Sequence, residues 1–172
     1  MSIEMAPGAL VPIALVLGLL IGSFLNVVIH RLPLGLSIAF PPSHCPSCDA
    51  RIAPWDNVPL ISYLLLRGRC RHCGARIGLR YPAVEGVTAL VFAAIAARFG
   101  VSPWTAVYCA FAAALIAAAL IDQDHQIIPD SISLGGLAVA LVVVPVVGLL
   151  EGQDALTAFV RSVSGALTGA GV

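Results

Sequence analysis

Three stretches of this chain, residues 5–29, 99–121 and 131–150, contain no Asp, Glu, Lys or Arg. About 20 apolar residues, each rising 1.5 Å, cross a hydrocarbon core of roughly 30 Å as a helix. Composition points to the same solvent: 59% of residues are hydrophobic and 10% charged, whereas a soluble domain carries roughly 25% charged residues. Residues 83–99 form a fourth apolar run, with Glu85 near its start and Arg98 near its end, where both charges can sit at the interfaces. Residues 155–172 are apolar apart from Arg161 and close on a glycine-rich tail with no polar flank, so this fifth segment is expected to continue past Val172. The expected fold class is an all-α polytopic membrane protein of about five transmembrane helices. Its expected divisions are a first helix (1–29), a polar loop folded around metal (30–82) and helices 2–5 (83–172).

The formal net charge is zero, but its distribution is uneven. All nine basic residues are arginine, and seven of them (Arg31, Arg51, Arg67, Arg69, Arg71, Arg76, Arg80) fall between the first and second apolar runs. By the positive-inside rule that loop is cytoplasmic and the N-terminus faces outward. Alternation then places residues 100–103 outside, 122–130 inside and 151–154 outside. No basic residue precedes the first run and no small-residue cleavage site follows it, so it reads as a retained span rather than a secretory signal. No repeat with a convincing period is visible in the sequence. Nucleic acid is not an expected partner, because aromatic residues are few and the arginine-rich loop is pinned between two spans. The lipid bilayer is.

Within the loop, Cys45-Pro-Ser-Cys48 and Cys70-Arg-His-Cys73 form two CxxC pairs separated by 21 residues. Four thiolates on two short chelating turns match a tetrahedral structural zinc site of zinc-ribbon type, with Cys45, Cys48, Cys70 and Cys73 as ligands. The competing reading is two disulfides, which are rare in a reducing cytoplasm. The loop has few large apolar residues, so metal ligation is expected to supply its folding energy. His44 and His72 neighbour the ligands and read as solvated or supporting groups. Cys109, alone in an apolar run, reads as a small core residue.

Residues 120–130, LIDQDHQIIPD, concentrate three aspartates at the end of an apolar run. Ionisable groups at bilayer depth cost about 2.5–3.5 kcal/mol each and mark function when they face the bundle interior or water. Asp122 fits that description best, as the last residue expected to remain helical at the inner interface. Asp124 reads as solvated. Asp130 follows Pro129 and reads as a cap of the next helix. Glu85 reads as a charge favouring a helix N-terminus. Gly18 and Gly22, a small-xxx-small pair near Ser23 and Asn26, read as a tight helix contact rather than as a lining for a substrate. The loop arginines could meet anionic headgroups, although setting the orientation suffices to explain them.

GLLIGSFLNVVIHRLP (18–33), the two CxxC pairs, PWDNVPLISYLLLRGRCRHCGARIGLRYPAVE (54–85) and LIDQDHQIIPD together resemble the bacterial type IV prepilin peptidases. The resemblance implies an inner-membrane enzyme that removes the leader of type IV prepilins and type II secretion pseudopilins. It then N-methylates the new N-terminus with S-adenosylmethionine. It implies that Asp122 is one of two catalytic aspartates of an intramembrane aspartic protease. The four cysteines would hold zinc. The family's second aspartate lies in a G-x-G-D motif that is absent from this sequence, so the chain is expected to be an incomplete form of the enzyme. Asn57, Arg69, Arg80 and Glu85 fall within family motifs, and no glycine-rich nucleotide loop accompanies them. An alternative from another class is a non-catalytic, membrane-anchored zinc-ribbon module that binds components of a pilus or secretion system.

Overall fold

The computed structural model describes residues 7–170 and contains no strand among them. Residues 5–6 and 171–172, at the margins of the expected first and fifth spans, lie outside the described residues. Helix α1 (Pro7–Arg31) leads through a 3-10 turn at Leu32–Leu34 into the loop, which holds a second 3-10 turn (Pro54–Asn57) and the short helix α2 (Ile61–Leu65). Helices α3 (Arg80–Phe99), α4 (Pro103–His125), α5 (Asp130–Leu150) and α6 (Ala155–Ala170) follow. Four segments, Ala9–Leu34, Arg80–Phe99, Pro103–His125 and Asp130–Leu150, are long and apolar enough to cross a membrane. A fifth, Ala155–Leu167, is apolar but shorter. The all-α polytopic architecture expected from the uncharged runs is present.

Two helix boundaries differ from the apolar runs. α3 begins at Arg80 rather than at residue 83, and α4 continues to His125, past the end of its uncharged stretch. The absence of charge marks the lipid-buried part of a helix, whereas the backbone ladder runs on into the interface, where polar side chains do not interrupt it. Asp122 is therefore not the last helical residue. One further turn, closed by the N–H of left-handed Gln126 on the Asp122 carbonyl (2.8 Å), separates it from the helix end.

α1 and α3 form the tightest antiparallel pair. A Cβ on Gly18 would lie 2.5 Å from Ala89 Cα, and one on Gly22 would lie 2.7 Å from Glu85 Cα. Hydrophobic driving force is weak between helices in lipid, and close backbone approach through small residues replaces it. The small-xxx-small pair is thus a helix contact. Two buried clusters fill the bundle: Leu25, Ile29, Val84, Ala117 and Ile121 near the loop, and Ala14, Phe92 and Ala96 farther along, with Cys109 packed on the latter.

At the far end, α3 stops at Gly100, whose φ of +63° suits glycine, and Ser102 Oγ caps α4 by accepting the Trp104 N–H (3.2 Å) ahead of Pro103 at the first turn. Trp104 Nε1 donates to Glu151 at 2.6 Å, tying the start of α4 to the end of α5. At the near end, Asn26 Nδ2 donates to the Tyr81 carbonyl (3.2 Å) and Arg80 bonds Asp124, so α1, α3 and α4 meet where the loop begins and ends.

Candidate functional site

The loop is built from two copies of one turn. In the first, the Cys45 N–H donates to the Ala50 carbonyl (2.9 Å), the Asp49 N–H donates to the Cys45 carbonyl (2.8 Å), and Asp49 is left-handed with φ +57°. In the second, the Cys70 N–H donates to Ala75 (2.8 Å), the Gly74 N–H donates to Cys70 (3.0 Å), and Gly74 has φ +70°. Isolated bridges His44 with Arg51 and Arg69 with Arg76 flank the two turns at matching positions. Every equivalent pair is offset by 25 residues, so the loop contains an internal repeat at the level of backbone geometry. The repeat is also written in the sequence, as C-x-x-C-x-A-R-I at residues 45–52 and again at 70–77, with Asp49 in the first copy where the second has Gly74.

The turns bring the four Sγ atoms within 4.8 Å of one another, with Cys45 Sγ and Cys73 Sγ 3.9 Å apart. Tetrahedral metal–sulfur bonds of about 2.3 Å set sulfur separations of about 3.8 Å, so the set fits a single ion, while a disulfide needs about 2.05 Å. The backbone N–H of Ser47, aided by those of Cys48 and the Cys70 side chain, brings the Cys45 thiol down to about 7 against the opposing loss of hydration. The N–H groups of Cys73 and His72 lower Cys70 in the same way. For Cys48 the Ala50 N–H favours the thiolate, but loss of hydration and the crowding of Cys73, Cys45 and Cys70 win, pushing it up to about 12. An ion bound among them would supply the positive charge that such crowded sulfurs need to ionise together.

The loop has no apolar core of its own. Neither buried cluster draws its buried members from the loop, and Cys45 is the loop's buried hydrophobic residue. An ion pair stitches the second turn to the segment before α2: Arg71 Nε donates to both Asp56 oxygens at 3.0 and 2.8 Å, and Arg71 holds the Asp56 carboxyl below its ordinary range. His44 and His72 are exposed and stand outside the sulfur set.

The three aspartates of the α4–α5 junction have different surroundings. Asp122 is exposed one turn before the end of α4 and carries no side-chain bond among the described residues. Asp124 is not simply solvated: Arg80 Nη1 donates to it at 2.7 Å, and Arg80 Nη2 reaches the Leu120 carbonyl at 3.2 Å. Asp130 does not cap α5 either. Pro129 holds the N-cap position without a side-chain bond, and Asp130 is the first helical residue, where its charge faces the positive helix end.

Glu85 also departs from expectation. It is buried at the sixth position of α3, and its Oε2 accepts the Leu60 N–H at 2.8 Å. Its partner lies 25 residues earlier in a loop, beyond the reach of a local helix-end argument. Of the four residues in family motifs, Glu85 and Arg80 are thus engaged in structural bonds, Asn57 and Arg69 are exposed, and none hydrogen-bonds another among the described residues.

A family model described as "Bacterial Peptidase A24 N-terminal domain" matches residues 16–99, a stretch that contains the second half of α1, the whole loop and α3. Curated relatives extend the similarity. A prepilin leader peptidase/N-methyltransferase of Pseudomonas putida is 42% identical over 163 residues, covering 82% of this chain and 57% of that protein. A type 4 prepilin-like proteins leader peptide-processing enzyme of Escherichia coli O78:H11 is 44% identical over 154 residues, covering 79% and 57%. A prepilin leader peptidase/N-methyltransferase of Myxococcus xanthus is 44% identical over 141 residues, covering 82% and 42%. No solved structure matches. The chain spans little more than half the length of these relatives at most. Its four-cysteine loop sits between the first two membrane-capable helices, within the matched region. Residues 16–99 thus carry the N-terminal domain of the bacterial A24 peptidases, and the chain is similar to bacterial prepilin leader peptidases over about four-fifths of its length.

Proposed function

We propose that this chain supplies the membrane and metal-binding framework, and one catalytic carboxyl, of an inner-membrane prepilin leader peptidase/N-methyltransferase. The reading is carried by similarity over about four-fifths of the chain to proteins whose names state both activities. The substrates are type IV prepilins or pseudopilins, met on the cytoplasmic side. The arginine-rich loop supports that orientation.

Asp122 is the assigned catalytic residue. As a carboxylate it takes a proton from water while the water oxygen bonds to the scissile carbonyl carbon. A second, protonated carboxyl gives its proton to the leaving nitrogen as the C–N bond breaks. Two carboxyls held close together resist double ionisation, which keeps one proton in the pair. Asp124 is engaged by Arg80 and Asp130 heads α5, so neither is assigned as the partner. Residues 1–172 contain no G-x-G-D.

For the loop we assign structural zinc to Cys45, Cys48, Cys70 and Cys73, since four thiolates leave no open coordination position. S-adenosylmethionine is the implied methyl donor. Asn57, Arg69, Arg80 and Glu85 do not compose a pocket for it, and no methyl-transfer step is derived from them.

The test is leader cleavage in cells that depend on the protein bearing this sequence. Asp122→Asn should leave prepilin at its full mass while zinc content and membrane insertion persist. Normal processing by that variant would remove Asp122 from the reaction.

A further inference from the structure

The loop buries almost none of its large apolar residues. Trp55 is 70% exposed, Leu64 73% and Leu65 78%, and Ile61 also faces outward. Ile61, Leu64 and Leu65 are spaced i, i+3, i+4 on the single turn of α2, which places them on one face. A contiguous apolar face of this kind marks a contact with something other than water.

Depth identifies the contact. Leu60, which starts α2, is bonded to Glu85, five residues into membrane-spanning α3. At 1.5 Å per residue that is about 7.5 Å beyond Arg80, toward the centre of the span. On α1 the same level is Gly22, nine residues before the helix ends at Arg31. The chain therefore leaves the membrane at α1, forms the first metal turn, and folds back alongside α3 into its helical span before the second metal turn.

Much of the backbone there meets the condition that lipid imposes. A polar main chain away from water must bond internally, and the amides of Val58, Leu60, Ser62, Leu64 and Leu66 donate respectively to Ser62 Oγ, Glu85 Oε2 and the carbonyls of Val58, Leu60 and Ser62. Ser62 Oγ in turn donates to the Trp55 carbonyl at 2.7 Å. Exposed Arg67 and Arg69 then carry the chain out to Cys70, where cations can reach headgroups.

We propose that residues 55–65 form an interfacial element seated in the leaflet on the loop's side of the membrane, with Trp55, Ile61, Leu64 and Leu65 against phospholipid acyl chains. Glu85 is the buried acceptor that lets the backbone at Leu60 enter that depth. The metal turns are thereby held flat against the bilayer rather than standing clear of it.

The chain has two tryptophans, Trp55 and Trp104, so Trp104→Phe leaves Trp55 as sole reporter. This chain is reconstituted into phosphatidylcholine vesicles with or without bromines on the acyl chains near the glycerol. Seated among acyl chains, Trp55 should emit at least about twofold less with brominated lipid. Emission unaffected by bromine overturns the proposal: a red spectrum would place the face in water, and a blue one against protein, such as a second copy of this chain. If Trp104→Phe fails to fold, the Trp55 signal is taken as the difference between the unaltered chain and Trp55→Phe. Leu64→Trp in a chain lacking both natural tryptophans should be quenched as strongly.

Discussion

At Glu85 a carboxyl lies buried in a membrane-spanning helix and accepts one loop amide. Removing it strands that amide, so Glu85→Ala should cost about 1–3 kcal/mol, read as a drop in thermal stability in detergent. Glu85→Gln keeps an acceptor and should recover most of the loss, whereas equal stability of the alanine variant and the parent would show that no clamp exists. Asp56 offers a pH test. Arg71 holds its carboxyl below the ordinary 3.8, so the folded chain binds this proton less readily than the unfolded one. The stabilisation is fully present above about 3.8 and is lost as the pH falls through the depressed value. Asp56→Asn should therefore melt below the parent at neutral pH, with the gap closing in strong acid. A gap independent of pH would contradict the ion pair. At this scale the sequence was legible where the signal was local: the cysteine spacing and the position of Asp122 beside an uncharged run. Arg80 with Asp124 and Leu60 with Glu85 were not legible, because the partners lie 44 and 25 residues apart and meet only once the helices pack.

Among the elements, the α1–α3 seam rests on two positions where no side chain fits. Gly18→Leu places a side chain against Ala89 Cα and Thr88 O, at 2.5 and 2.9 Å from its first atom. Both contacts are backbone and cannot swing aside. The variant should lose the folded helix pair, seen as rapid proteolysis in membranes, and a protease-resistant Gly18→Leu would show that the seam is looser than described. The four-cysteine loop is a different kind of element, with the proposed ligation in place of an apolar core. Cys70→Ser should lower bound zinc per chain and open both turns to proteolysis; unchanged zinc stoichiometry would rule out the four-sulfur site. The spans were readable from charge alone because lipid excludes it, yet helix ends and the return of α2 to α3 were not. A five-residue helix has too little periodicity to show a face, and its depth is set by a contact to another element.

For the molecule as a whole, packing gathers the candidate site residues toward one end. The start of α3 at Arg80 is bonded to the end of α4, which carries Asp122, at the end of the bundle where the four-cysteine loop joins α1 and α3, while the Gly100 turn and Glu151 occupy the other end. The proposed activity requires that first end to face the cytoplasm, where unprocessed prepilin leaders are presented. The most direct measurement is the labelling of Gln123→Cys, an exposed position beside Asp122, by a membrane-impermeant maleimide. Reaction only after the cytoplasmic membrane is opened is the expected result. Labelling in intact cells as fast as in lysed ones would place Asp122 on the wrong face and contradict the account.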